Sequence, residues 1–551
     1  MSDLSKTGKW RFLVLFLLIL LLLAACAGPA EETAAPTEAE EVPEPVEDAV
    51  PLIVNIAVAP ATLDPAWGCT LESIGFLQNF YVRLTQYAAV PGPDGTMMTN
   101  PSEDEELYFA ESLDISDDGT VYTFKLPEGA TFPSGKPVDS EAVKYSLERT
   151  LTVDGCGAYF ILEGIYDPYL IQSVEALDQY TVQITLARPD PNFMEAMAQP
   201  AASIVDPSVV EANGGVVAGE PNEYMAGHVA GSGPYLLEEY EPNNRAVLVA
   251  NPNFFGEPPA TGKIIVNFIN ADETLLLQAR NLESDVTIGL SPQSVASLQG
   301  NPDVRIIVNE TTDSERFGLP NGKPPWDSVK FREAVTHAIP YEEILDKVAF
   351  GYGSLFYGPF TPSFPEYNAA LSQPREFDLD LARQIIEESG VATPIDIEVV
   401  IQEGSTTHVQ IATILQGVWA DLGINLTVRQ VTSADFYNAV EGHQAQAFMR
   451  LDGTGIYDAG YFLGFDMICA MKDAFNVSEV CIPEADELLE QARVELDHEK
   501  RQALYDDITR LWVANSPFIP VYSVQDTTVL SINVTDFLWS HYTDFRTWAK
   551  E

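Results

Sequence analysis

Between Pro394 and Leu451 the chain switches repeatedly between two hydrophobic periods, and that alternation most narrows what it can fold into. IDIEVVIQ has the makeup of a buried strand. HVQIATILQGVWADLG sets Ile411, Leu415, Val418 and Leu422 on one helical stripe and stops at Gly423. INLTVRQV reads as a strand, SADFYNAVEG as a capped helix and QAFMRL as a third strand. This order demands parallel strands joined by right-handed crossovers, hence an α/β lobe. Elsewhere the pattern is mixed. Leu52–Val58 and Val121–Leu126 predict strands, and a helix starts at the Asp139/Ser140 cap with Val143 and Leu147 on one face. SVEALDQYTVQITLA predicts a β pair turning at Asp178–Gln179. Two amphipathic helices, ADELLEQARVEL and HEKRQALYDDITRLWVA, precede the strand-like FIPVYSV, and no internal repeat is present.

The amino terminus is of another kind. Lys6, Lys9 and Arg11 precede fourteen apolar residues, Phe12 to Ala25. That core is short for a membrane span of about twenty residues but suits a secretory signal. Leu23-Ala24-Ala25-Cys26 looks like the lipobox of bacterial lipoproteins, whose chemistry is diacylglycerol transfer to the cysteine sulfur and cleavage before Cys26. The rival is an ordinary signal peptide that contains a cysteine. One acyl chain anchors only marginally at ~0.8 kcal/mol per buried methylene, whereas two or more anchor firmly. From Ala27 to Pro51 acids and prolines run without lysine or arginine. With few large apolar side chains to offset the entropy of ordering, this segment is expected to be a disordered tether reaching roughly 25 to 75 Å.

About 500 residues remain, enough for two or three domains. Losing residues 1–25 removes three bases and one acid, taking the formal charge from −53 to −55. So acidic a body argues against nucleic acid or an anionic membrane face as partner, leaving the lipid as the membrane contact. Besides Cys26 there are Cys69, Cys156, Cys469 and Cys481, an even count that suggests two disulfides in an exported chain. Cys469 and Cys481 are close in sequence, which leaves Cys69 with Cys156. A zinc site has no C-x-x-C spacing or nearby histidine to support it, so no metal is expected. No phosphate-binding loop, dinucleotide fingerprint, G-x-S-x-G elbow or H-E-x-x-H helix occurs. No cofactor and no catalytic role are expected.

Several separated segments resemble the family 5 extracellular solute-binding proteins of ABC importers, which include dipeptide- and oligopeptide-binding proteins. LDPAW near Leu63 looks like the family's L-D-P, and Asn79–Leu84 resembles its N-x-Y-E-x-L. SDDGTVYTFKLPEGATFPSGKPVDSEAVKYSLER resembles its D-G-x-x-Y-T-F signature, and GSGPYLLEEY its G-T-G-P-Y segment. KPPWDSVKFREAVTHAIPYEEI and DELLEQAR…RQALYDDITRLWVANSPFIPVY continue the match. The resemblance implies an α/β, two-lobed periplasmic-binding-protein-like fold, type II, with a strand hinge and an inter-lobe ligand cleft. It divides the chain into a signal peptide (1–25), lipidated Cys26 and tether (26–51), lobe I (52–108, 230–312 and 521–551), an extra domain inserted in lobe I (109–229) and lobe II (313–520). The implied role is delivery of peptides or peptide-sized polar solutes to ABC permease subunits, by a monomer anchored on the extracytoplasmic side.

Departures from the family pattern bear on the ligand. Peptide-binding members carry D-Y-x-D-P-x-x-F, whose first aspartate pairs with the peptide's α-amine. Here Gly455-Ile456-Tyr457-Asp458-Ala459-Gly460-Tyr461-Phe462 puts Gly455 at that place and keeps only Asp458, with Asp452 three residues upstream of Gly455 as a substitute. The family's glutamate near the cleft is Val82, and the Asp of its A-I-D is Pro340. Without a carboxylate at 455, affinity is expected to depend little on a free α-amine. An oligosaccharide is the rival ligand, with Tyr81, Trp326, Tyr457 and Tyr461 as stacking surfaces, and a surface-anchored hydrolase is the rival class. The Cys469–Cys481 pair also resembles a bridge that follows the cleft segment in dipeptide-binding relatives.

Overall fold

Two long antiparallel strands, Val304–Gly318 and Phe518–Ser531, run through the body and pair from Val304 opposite Ser531 to Gly318 opposite Phe518. The computed structural model describes residues 50–92, 96–99, 106–162, 169–472, 474–540 and 543–551. The predicted signal peptide, Cys26 and all but the last two residues of the tether lie outside them. Among the described residues no helix is long and apolar enough to cross a membrane.

Among those residues eleven strands form one sheet around the long pair. On one side Val286–Ile288 pairs with residues 528–530, and Leu52–Ile56 and Lys263–Phe268 continue outward in parallel. On the other side Ala447–Asp452 pairs with Ser314–Gly318, followed by Ile395–Gln402 and Ile424–Val431. Each long strand thus belongs to one lobe over half its length and to the other lobe over the rest. That is the strand hinge expected from the resemblance.

Lobe II has the expected alternation. Ile395–Gln402 is parallel to both Ile424–Val431 and Ala447–Phe448, joined by helices Thr406–Ala420 and Ser433–Glu441. In the first helix the buried stripe runs through His408, Ile411, Ala412, Leu415 and Trp419, so Trp419 takes the core place predicted for Val418. Its indole Nε1 donates to the Ala338 carbonyl at 3.1 Å. An indole fills more core volume than a valine, and this hydrogen bond removes the penalty for burying its N–H.

The inserted domain is an antiparallel four-stranded sheet in the order Ser112–Ile115, Val121–Lys125, Thr181–Leu186, Ile171–Asp178, packed against helix Ser140–Val153. Its apolar core draws on residues from Val82 to Ile204, while Val205, Val210 and Met225 pack in the core of lobe I. Val82 and Ile204 form an antiparallel bridge at the base of the inserted domain. The Asp139 side chain accepts from Ala142 N at 3.1 Å and caps the helix. Asp139→Ala is expected to destabilise the protein by about 1 kcal/mol, read as a lower urea midpoint with unchanged slope.

The four cysteines of the body are paired as Cys69–Cys156 and Cys469–Cys481, with Cα separations of 6.0 and 4.5 Å.

Candidate functional site: the inter-lobe cleft

At the middle of the hinge the ladder breaks. Glu310 faces Gln525 and Ser314 faces Ser523, so Thr311, Thr312 and Asp313 all stand opposite Val524 alone. A bulge of this kind bends the strand and re-aims its side chains. Hydroxyl groups fix it in place. Thr311 Oγ1 donates to the Val524 carbonyl at 2.7 Å, and Asp313 N donates to Thr311 Oγ1 at 3.1 Å. Thr312 Oγ1 donates to the Thr454 carbonyl at 2.5 Å, tying the bulge to the loop after Ala447–Asp452. Thr361 and Ser363 each donate to the Thr311 carbonyl at 2.9 Å.

The bulge delivers Asp313 to the space between the lobes, where two cavities meet at Leu71 and Asp313. One, of about 340 Å³, has an aromatic wall of Phe76, Phe268, Phe537, Trp539 and Trp548. Its lining includes the acids Glu72, Asp313 and Asp526 and, among the described residues, no lysine, arginine or histidine. The other, of about 350 Å³, lies under residues 450–466 and is bounded across the cleft by Leu71, Ile74 and Phe160.

Apart from Asp313, the charges lining the second cavity are matched. Arg316 Nη1 donates to Asp452 Oδ2 at 2.9 Å and to Asp466 Oδ2 at 2.7 Å. Arg450 Nη2 reaches the same two carboxylates at 2.5 and 3.4 Å. Burial pushes the Asp466 carboxyl up, with Asp452 adding to the effect and the two arginines opposing it. Burial works against the charge on Arg450, yet Asp452 and Asp466 beside it hold its pKa above the ordinary value.

Asp313 is different. Among the described residues no hydrogen bond or ion pair reaches its carboxylate. Burial, with the negative charges of Asp452, Asp526 and Glu315 adding and Arg316 opposing, pushes its carboxyl up to about 7. Its Oδ1 fills the space that a Cβ on Gly453 would need, 1.9 Å from where that atom would sit. Asp526 already accepts from Trp539 Nε1 at 2.8 Å.

The residues singled out from sequence divide into three groups. Asp452, Gly455 and Tyr461 line the second cavity, and Asp452 is held there by its two arginines. Tyr457 and Asp458 lie beside the cleft, in the contact between lobes. Tyr457 N donates to Glu195 Oε1 of the inserted domain at 2.6 Å, and its ring packs against Tyr87 and Phe364. Asp458 caps helix Ala459–Asp466 by accepting from Tyr461 N at 2.5 Å, and it pairs with Arg501. Arg501 in turn donates to Asn192 Oδ1 across the lobes at 3.2 Å. Tyr461 stacks on Phe160 with centroids 6.2 Å apart, so the lobes are in contact on this side.

Tyr81 and Trp326 do not reach the cleft. Tyr81 is buried in the lobe I core, its hydroxyl donating to the Leu63 carbonyl at 3.2 Å and accepting from Ala230 N. Trp326 is buried in the lobe II core and donates to the Gln446 carbonyl at 2.7 Å. Both are packing residues, because each buried ring has a backbone partner for its polar atom. Asp313, Arg316 and Asp466 were not legible as site residues. The one local signal is the run NETTDSER, which interrupts an otherwise apolar strand with polar residues.

Two lobes that share a pair of hinge strands, with cavities walled by both, define a bilobal solute-binding protein. The model of the bacterial extracellular solute-binding proteins, family 5 Middle, matches residues 106–470, and the chain belongs to this family. Heme-binding protein A of Haemophilus influenzae is 24% identical over 523 residues, covering 91% of each chain. Di/tripeptide-binding protein 2 of Pseudomonas aeruginosa is 23% identical over 431 residues, covering 75% of this chain and 80% of its own. The fold is shared with the ABC transporter-associated periplasmic binding protein DppA of Helicobacter pylori in complex with the peptide STSA. That match has a TM-score of 0.76 and 21% identity, covering 91% of this chain and 98% of the other.

Proposed function

We propose that the protein is a lipid-anchored, extracytoplasmic carrier that traps peptides or peptide-sized polar solutes between its lobes and presents them to ABC permease subunits as a monomer. The observation that carries this reading is the pair of cavities meeting at the hinge bulge, walled by both lobes of a family 5 chain. Closure traps a ligand only if the ligand binds the closed form better than the open one, which requires contacts from both lobes. Leu71 and Phe76 from lobe I, Tyr461 and Phe462 from lobe II and Asp313 from the hinge are placed to make them. The site is built for capture, and the proposed role is carriage without chemical change.

Relatives named for peptides and for heme share the fold, so the ligand class rests on the cleft itself. Of the four aromatic residues that favoured an oligosaccharide, Tyr81 and Trp326 are in lobe cores. Peptide is the reading retained. The test is mass spectrometry of small molecules released from protein extracted gently from its native membrane. Short peptides at near-stoichiometric amounts are expected; an oligosaccharide in their place would overturn the peptide reading.

A further inference from the structure

We propose that Asp313 is a binding residue for a ligand's ammonium group, seated at the junction of the two cavities with the apolar part of the ligand against the aromatic wall. The proposal rests on the solute-binding reading above and names the chemistry that the cleft selects. Three observations carry it. Asp313 is placed by a bulge that the Thr311 and Thr312 hydroxyls hold open, and it lines both cavities. Among the described residues its carboxylate has no hydrogen-bond or ion-pair partner. The cavity with the aromatic wall carries three acids and no base among its described lining, and the nearby arginines 316 and 450 are already committed to Asp452 and Asp466.

An ionised carboxylate removed from water is costly unless a cation meets it. Lobe closure over a neutral ligand would leave that cost in place, whereas an ammonium ion cancels it. The cavity of about 340 Å³ is of ordinary ligand size, and its aromatic wall suits an apolar side chain carried next to the charge. This reverses the expectation drawn from Gly455. The anchor lost from the cleft loop is replaced by one on the hinge strand.

Ionisation supplies an independent signature. The charged groups around Asp313 are Glu315 and Arg316 on its own strand and Asp526 on the paired hinge strand. Arg450 and Asp452 face it from the next strand, Asp466 from the helix after the cleft loop and Glu72 from lobe I. His408 bonds Glu315 at 2.9 Å. With its carboxyl at about 7 in the unliganded cleft, an ammonium ligand binds more tightly as pH rises through that value. For phenethylamine, whose ammonium stays protonated over this range, affinity at pH 6 should be about tenfold below that at pH 8. If instead a protonated Asp313 donates to a neutral ligand, the slope has the opposite sign.

The test is calorimetry on the full mature protein in detergent, with three probes: the dipeptide Leu-Phe, its N-acetyl form, and phenethylamine as a non-peptide ammonium. In the wild type, acetylation should weaken binding about thirtyfold or more. Asp313→Asn should weaken Leu-Phe by a similar factor and bring the free and acetylated forms to within about threefold of one another. Asp313→Glu should keep the preference for the free amine. Asp313→Asn should melt no lower than wild type at pH 8, because it removes a buried unpaired charge.

An unchanged free-amine preference in Asp313→Asn overturns the proposal. So does a wild type that binds Leu-Phe and its acetyl form equally, or one that binds neither Leu-Phe nor phenethylamine. Asp313-dependent binding of phenethylamine alone supports the ammonium site while sinking the peptide reading. Peptide binding indifferent to Asp313 does the reverse.

Discussion

Replacing Arg316 with methionine is expected to lower the free energy of unfolding by about 3–5 kcal/mol, the range for removing one partner from a buried ion cluster. The Arg316 side chain is 3% exposed, and its guanidinium lies between the rings of Phe462 and Phe518 at 4.6 and 4.4 Å. Methionine keeps much of the volume and its affinity for aromatic rings, so the loss isolates the charge. Asp452 and Asp466 would then share Arg450 alone. The Asp466 carboxyl, already raised by burial, should rise further. A carboxyl raised above its unfolded value stabilises the fold at low pH and loses that contribution as pH rises through the folded value. The deficit of Arg316→Met should therefore be larger at pH 8 than at pH 5. Adding Asp466→Asn should recover more than about 1 kcal/mol, because it removes the carboxylate left uncompensated. Urea titration of the three proteins at both pH values measures all of this. A deficit below about 1 kcal/mol, or no recovery in the double variant, would show that the cluster is not coupled in this way.

Cys26→Ala is expected to have an all-or-none effect. Thioether attachment of diacylglycerol needs the cysteine sulfur, and no other residue in L-A-A-C offers one. Labelled fatty acid should no longer enter the protein, and any processed chain should leave the membrane fraction. The acidic, proline-rich segment after Cys26 offers almost no apolar surface that could hold the body there in the absence of an acyl chain. Label retained at the wild-type level would refute lipidation at Cys26.

Much of the architecture is written in short-range patterns. The two-period alternation from Ile395 to Asp452 is the parallel unit of lobe II. The cap at Asp139 and the hairpin turning after Asp178 stand at the predicted residues. These features are legible because helix and strand periods, caps and turns depend on neighbours a few residues apart. The same locality explains the slip at Val418. Its spacing suits the stripe, but the larger Trp419 takes the core place.

The cleft chemistry is decided at longer range. Asp452, Asp458 and Asp313 are three of 82 acids, and their neighbours in sequence do not show which of them the fold leaves unpaired. Asp452 is neutralised by Arg450 on its own strand together with an arginine 136 residues away, and Asp458 by one 43 residues away. Asp313 has no such partner among the described residues, because a bulge at the hinge turns it toward the cavities. Likewise Tyr81 and Trp326 are core residues only because carbonyls of Leu63 and Gln446 come to meet them. From its own residues the sequence determined an α/β lobe, an exported acidic body and the likeness to a binding family. Only the tertiary structure decided which carboxylate is left for a ligand, because an ion pair is formed by groups that the fold brings together, and charge alone does not identify the one left over.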